Sequence, residues 1–73
     1  MADVLTDRRK LSPDERERVE YRAGLLFSHL PAVQTTCSRE YLIGHAVDAC
    51  ELGLPVMLPG DGRTVPAERM LAP

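Results

Sequence analysis

The chain has 73 residues, enough for one small domain, and its hydrophobic fraction of 44% is normal for a folded chain rather than a disordered one. Its formal net charge is −2, whereas a nucleic-acid-binding domain normally carries a clear positive excess, so the total argues against that class. No apolar stretch is long enough to span a membrane and the first ten residues do not read as a signal peptide, so we expect a cytoplasmic protein that does not bind membranes.

The first ten residues, MADVLTDRRK, show neither helical nor strand periodicity, and we predict a mobile N-terminal arm over residues 1–10. The arm ends in a basic cluster formed by Arg8, Arg9 and Lys10. Such a cluster is either a solvated tail or a contact to nucleic acid or to an acidic protein patch. Val4 and Leu5 can anchor the arm on a partner. Residues 11–73 are predicted to form a single small domain.

The strongest pattern predicts the first main helix, over residues 12–30. Ser12 can cap the first turn, Pro13 suits the first helical position, and Glu15 stands at capping-box distance from Ser12. Pro31 ends the helix because it disfavours helical geometry at the residue before it. The apolar residues recur in steps of three and four and line one face: Val19, Ala23, Leu26, Phe27 and Leu30.

The polar face of this helix carries charges of both signs. Asp14 and Arg18 form an attractive pair four residues apart, and Arg18 and Arg22 form a repulsive one. We expect a solvated face with little energetic weight, and we count Tyr21 among the candidate partner contacts. Glycine in a helix interior lowers helix stability by about 1 kcal/mol relative to Ala. We therefore expect close packing against Gly24 to explain a glycine at this position.

Residues 31–36, PAVQTT, are interpreted as a linker. A second main helix is predicted over residues 37–52, with Thr36 or Ser38 as its N-cap. Gly53 is suited to end it as a left-handed C-cap. The apolar surface of this helix is wide, which implies burial on more than one side.

A short apolar run bounded by prolines, the turn PGDG and the following Arg-Thr-Val predict a small edge hairpin over residues 55–65. Such a ribbon is unstable alone and must rest on the helices. Val56 and Leu58 are its candidate partner contacts. The turn also resembles a phosphate-cradling loop, but the strand–GxxxxGK[ST]–helix unit of such loops is missing. Pro66 then begins a short C-terminal helical turn. The predicted fold class is therefore α+β and helix-dominated.

Metal and catalytic chemistry find little support in the residue spacing. The four residues His29, Cys37, His45 and Cys50 lack the short spacings that build zinc sites, and we expect the two cysteines to be buried thiols rather than a disulfide. No α/β-hydrolase, metalloprotease or dinucleotide-binding motif occurs. We therefore expect no metal, no cofactor and no enzymatic activity.

Three classes of function remain. The first is a protein-binding regulator that docks on a large multisubunit complex of the host. The third is a structural or self-assembling subunit, but the sequence contains no heptad or other repeat that would support it. The second is a helix-turn-helix or winged-helix DNA-binding regulator, since two helices followed by a hairpin have that outline. The residues that would reach bases are Ser38, Arg39, Glu40 and Tyr41. However, only one positive charge lies between Ala23 and Arg63, and phosphate attraction dominates DNA affinity.

Over its full length, including the stretch MADVLTDRRKLSPDERERVEYR, the chain resembles the small transcription regulators of lytic bacteriophages that bind the host RNA polymerase. The resemblance implies docking near the RNA exit channel, on the N-terminal segment of the β′ subunit and on the β flap. It implies inhibition of initiation by sigma displacement, and antitermination at intrinsic terminators.

The same resemblance implies a monomer in the host bacterial cytoplasm, with indirect contact to nucleic acid. A peptide of the partner can lie in a groove between the first helix and the hairpin, or add to an exposed edge. The candidate partner-binding residues are Val4, Leu5, Arg8, Arg9, Lys10, Tyr21, Val56 and Leu58.

Overall fold

A computed structural model describes residues 10–73, in which four helices and a two-stranded hairpin follow one another along the chain. The elements are α1 (Pro13–His29), α2 (Pro31–Gln34), α3 (Arg39–Leu52), β1 (Val56–Met57), β2 (Thr64–Val65) and α4 (Ala67–Leu71). The strands pair antiparallel, with Val56 opposite Val65 and Met57 opposite Thr64. The predicted helix-dominated α+β fold, with two main helices, a small hairpin and a short C-terminal helix, is confirmed.

The N-terminus of α1 is closed by the capping box that its sequence predicts. The Ser12 hydroxyl accepts a hydrogen bond from the Glu15 backbone N–H at 3.2 Å, and the Ser12 N–H donates to the Glu15 carboxylate at 3.0 Å. Both bonds satisfy N–H groups that have no partner within the helix. The start of α1 is therefore set by local sequence alone.

The segment after α1 is not the linker predicted for residues 31–36, because Pro31–Gln34 forms a short helix. Pro31 occupies its first turn, and the Gln34 N–H donates to the carbonyl of Leu30 at 3.1 Å. The Gln34 side chain also donates to the carbonyl of Phe27 at 2.8 Å, one of the α1 carbonyls left open at its C-terminal end. One side chain thus joins the end of α1 to the start of the next turn.

The second main helix begins and ends at its predicted caps. The Ser38 hydroxyl accepts from the Tyr41 N–H at 3.1 Å, which settles the choice of N-cap in favour of Ser38. Gly53 has a φ of +72° and a left-handed conformation, and the Leu54 N–H donates to the Ala49 carbonyl at 2.9 Å. This is the hydrogen bonding of a glycine C-cap.

The core lies between α1 and α3 and is covered by α2, the hairpin and α4. Its buried hydrophobic side chains are Val19, Ala23, Val33, Leu42, Ala46, Val47, Ala49, Cys50, Val56, Leu58 and Met70. The wide apolar surface predicted for the second main helix is explained by this arrangement, since five of these residues lie on α3. The core is almost entirely aliphatic, in keeping with a sequence of only three aromatic residues.

Gly24 lies against the end of a long side chain from α3. The guanidinium of Arg39 lies against it, and a Cβ placed on Gly24 would stand 2.8 Å from the Arg39 Nη2 atom. Gly24 itself is buried. The first residue of α3 therefore reaches across α1, and a side chain at position 24 would push that guanidinium away.

The turn of the hairpin lies on α2. Gly60 has a φ of +84°, and a Cβ at that position would clash with the Thr36 hydroxyl and the Ala32 carbonyl oxygen. These two groups are hydrogen-bonded to each other at 2.7 Å. The backbone of the turn thus approaches the helix as closely as only glycine allows.

Candidate partner-binding groove

An open groove of about 420 Å³ lies between α1, β2 and α4. It is lined by Arg22, Leu25, Leu26, Val65, Arg69, Met70 and Ala72. Leu25 is 42% exposed although it is a large apolar side chain on a helix that covers the core. The groove therefore offers an apolar surface to solvent at the position where the sequence predicts a peptide site, between the first helix and the hairpin.

Two arginines of α1 hold the C-terminal segment beside this groove. The Arg18 Nε atom donates to the Leu71 carbonyl at 3.0 Å. Arg22 donates through Nη1 to the carbonyls of Arg69 and Met70, at 2.8 and 3.2 Å. Its Nη2 atom also donates to a Pro73 oxygen at 3.3 Å. We call these two residues the arginine clamp.

The arginine clamp supplies what α4 lacks locally. The helix has five residues and no side-chain hydrogen bond at its N-cap, so its own sequence does little to hold it. A guanidinium can donate to several acceptors at once and satisfies carbonyls that a helix end leaves open. The prediction of a solvated face does not hold for Arg18 and Arg22, which are half-buried and hydrogen-bonded to the C-terminal segment.

The charge of the groove has one sign. The two ionisable residues that line it are Arg22 and Arg69, and no carboxylate side chain is among its lining residues. The floor is contributed by Met70, which is buried, and the wall by Leu25 and Leu26. Such a surface suits an apolar segment that also carries a carboxylate.

The predicted contact residues are distributed over several places. Tyr21 is exposed and lies on α1 beside Glu17 and Glu20, in a shallow depression separate from the groove lining. Lys10 is exposed at the start of the described chain and lines a cavity against α3. The remaining predicted contacts of the arm lie outside the described residues: Val4, Leu5, Arg8 and Arg9.

The two hairpin residues predicted as partner contacts belong to the core. Val56 is 0% exposed and Leu58 3% exposed, whereas Met57 between them is 56% exposed. Alternate residues of a strand point to opposite faces, so the hairpin exposes Met57 to solvent and buries its two neighbours. The contact predicted through these two side chains does not agree with this burial.

The described residues hold little reactive chemistry. Cys37 and Cys50 are free thiols, and burial raises the pKa of the Cys50 thiol because it disfavours the thiolate. Among residues 10–73, no group of three or more His, Cys, Asp and Glu side chains could hold a metal ion. Within the same range, no helix combines the length and apolar character needed to cross a bilayer.

The helix that would read DNA in a helix-turn-helix arrangement is poorly equipped for it. Its one arginine, Arg39, lies against Gly24 of α1 rather than apart from the domain. Its first turn carries Glu40, and the ring of Tyr41 stacks on His45 with a centroid distance of 6.0 Å. The described residues of α3 therefore present no cluster of positive charge to phosphates.

No family model matches this chain, and neither the curated proteins nor the solved structures contain a match to it.

Proposed function

We propose that this chain is a non-catalytic, phage-encoded regulator that binds bacterial RNA polymerase in the host cytoplasm as a monomer. The resemblance of the full-length sequence supports the partner, and the basic apolar groove beside the arginine clamp supports the mode of binding. The groove is the carrying observation, since it combines exposed Leu25 with a rim of two arginines.

In this proposal, an extended segment of the polymerase with apolar side chains and a carboxylate occupies the groove. The source is the N-terminal segment of the β′ subunit, with the β flap as a second contact. Within residues 10–73 the sheet has two strands, so β2 pairs with β1 on one side only. Val65 of β2 also lines the groove. An extended segment of a partner can add to such an edge.

The regulatory effect follows from where the protein docks. A protein at the β flap and the β′ N-terminus displaces sigma factor and so inhibits initiation. Near the RNA exit channel it hinders the RNA hairpin on which intrinsic termination depends, which yields antitermination. Neither effect requires a chemical step by the chain itself.

A matched pair of substitutions tests the groove. Leu25→Asp places a carboxylate in the groove, while Leu54→Asp makes the same change at a 53% exposed leucine that does not line it. We expect Leu25→Asp to weaken terminator readthrough and promoter inhibition about tenfold in a purified transcription system, as for a central contact residue. Leu54→Asp should behave as the unchanged chain.

Equal activity of Leu25→Asp and the unchanged chain would remove the groove from the mechanism. Circular dichroism and thermal unfolding of both variants show whether each retains its fold, so loss of binding is separated from loss of structure.

The basic cluster is tested separately. Replacing Arg8, Arg9 and Lys10 together by Ala should reduce antitermination if the cluster faces the polymerase or the nucleic acid in the complex. A triple variant with full antitermination would exclude the cluster from the contact.

A further inference from the structure

The exposed face of α1 carries an apolar strip that continues the groove. Tyr21 is 66% exposed and Leu25 is 42% exposed. Residues four apart lie on the same face of a helix, so these two side chains adjoin each other. Leu25 lines the groove, whereas Tyr21 lines a shallow depression of about 430 Å³ nearer the N-terminus of α1. The strip therefore joins the depression to the groove.

The depression beside Tyr21 is acidic, and its lining residues are Asp14, Glu17, Arg18, Glu20 and Tyr21. The guanidinium of Arg18 is directed to the Leu71 carbonyl, to which its Nε atom donates at 3.0 Å. The side chain of Glu17 is exposed and forms no ion pair within residues 10–73. Glu17 also lies beyond the first turn of α1, where the helix dipole favours negative charge. Its carboxylate is therefore open to a cation from a partner.

The groove end of the strip keeps a positive charge. The guanidinium of Arg22 donates to the carbonyls of Arg69 and Met70, which are neutral groups and leave its charge uncompensated. The side chain of Arg69 is exposed and lines the same groove. The strip is thus apolar at its centre, negative at one end and positive at the other.

We propose that this strip binds a peptide segment of a partner protein that has a cation at one end, apolar side chains in the middle and a carboxylate at the other end. By charge complementarity the cation faces Glu17, and the carboxylate faces Arg22 and Arg69. The apolar side chains lie on Tyr21 and Leu25. From position 17 to position 22 a helix rises about 7.5 Å, and an extended segment spans about 3.3 Å per residue, so two or three apolar residues separate the two charges.

The inference rests on the proposed function, because the groove is the same, and it adds the polarity of the segment that occupies it. The polymerase segment then carries a basic residue two or three apolar residues away from its carboxylate. The test uses peptides and no polymerase. Loss of the charge preference in that test would remove the polarity alone, whereas a chain that prefers mixed peptides but does not bind polymerase would remove the polymerase alone.

Five-residue peptides with blocked ends test the polarity, with binding measured by nuclear magnetic resonance titration of the full chain. The mixed peptides are Lys-Leu-Val-Leu-Glu and its reverse, which cover both chain directions in the strip. The uniform peptides have the same middle with glutamate at both ends or lysine at both ends. We expect the tighter mixed peptide to bind about two- to fivefold more tightly than either uniform peptide, as for an exposed ion pair, with the largest shift changes at Tyr21 and Leu25.

Charge reversal in the chain supplies the matched control. Glu17→Arg should make the uniform glutamate peptide the tightest binder. Glu40→Arg, at an exposed glutamate of α3 that lines neither the depression nor the groove, should leave the order of affinities unchanged. Amide spectra show whether each variant is folded. If Glu17→Arg is not, Glu17→Gln takes its place, and there the mixed peptide must lose its advantage over the uniform glutamate peptide.

Three results would overturn the proposal. They are equal affinities of mixed and uniform peptides for the unchanged chain, an unchanged order of affinities in a folded Glu17→Arg variant, and no binding by any of the peptides.

Discussion

Two junctions attach the C-terminal third of the chain to the helices, and they work by different physics. At the first, the hairpin turn rests on α2 through the backbone of Gly60, against the Ala32 carbonyl and the Thr36 hydroxyl. At the second, α4 is held on α1 by the hydrogen bonds of Arg18 and Arg22. The first junction depends on the absence of a side chain and the second on the presence of two long ones.

The difference is also seen in the surface beside each junction. The depression beside the first junction is lined mainly by side chains with polar or thiol groups, together with one proline: Thr36, Cys37, Ser38, Tyr41 and Pro59. A junction held by long side chains leaves apolar surface beside it, as exposed Leu25 shows. The arginine clamp thus fixes α4 in place while the groove stays open.

The largest effect is expected at the first junction. Gly60→Ala adds a methyl group where it clashes with two oxygen atoms, at a positive φ that L-residues adopt at a cost. Strain of about 1–2 kcal/mol and overpacking of about 1–3 kcal/mol together predict a loss of about 2–5 kcal/mol in unfolding free energy. Urea denaturation measures it.

Gly62→Ala is the matched control. Its φ of +83° is nearly the same, but a Cβ there meets no atom within 4 Å, so only the strain of about 1–2 kcal/mol applies. Equal losses for the two variants would show that Gly60 is required by conformation alone and not by close packing.

The second junction should yield a smaller loss. Arg22→Met keeps an apolar stem but removes the hydrogen bonds to the C-terminal carbonyls, and we expect about 1–2 kcal/mol because the site is only partly buried. Arg22→Lys should restore little of the lost unfolding free energy, since the ammonium group of lysine lacks the planar, forked arrangement of donors that a guanidinium has. Hydrogen exchange of the α4 amides should rise in both variants.

Arg16→Met controls for the loss of an arginine from the same helix. Its ion pair with Glu20 is exposed, so at most about 0.5 kcal/mol is expected. If Arg16→Met and Arg22→Met destabilise the protein equally, the clamp has no role beyond that of a surface pair.

The smallest effect concerns the turn itself. The Arg63 guanidinium, which donates to Asp61 at 2.6 and 3.3 Å, holds the pKa of that carboxyl below its ordinary value. A depressed pKa means that this stabilising contribution is present above the pKa of the unfolded state, about 4, and is lost as pH falls through the folded value. The chemical shift of the Asp61 carboxyl carbon, measured between pH 2 and 6, should show a titration midpoint below that of an ordinary aspartate. Arg63→Met should raise this midpoint toward the ordinary value.

Much of the fold can be predicted from the sequence because its signals are local. The Ser12 capping box, the Ser38 cap and the Gly53 C-cap each depend on residues within one helical turn. The helix at Pro31–Gln34 was missed because it depends on the Leu30 carbonyl and on a side chain that reaches back to α1.

The groove is only partly predictable for the same reason. Its place between the first helix and the hairpin was expected, but the arginine clamp joins residues 47 to 53 positions apart, which no local pattern reveals. The available signal was the pair of like charges at Arg18 and Arg22, because two like charges four residues apart destabilise an isolated helix. Strand alternation likewise places Val56 and Leu58 on one face without telling which face is buried.

The proposed function is tested most directly by measuring binding of the full chain to purified bacterial core RNA polymerase, with and without sigma factor. We expect a one-to-one complex with the core enzyme, release of sigma from the holoenzyme, and retention by the β′ N-terminal segment. No complex with core polymerase, together with retention of the chain on a defined DNA duplex, would contradict it and favour the helix-turn-helix alternative.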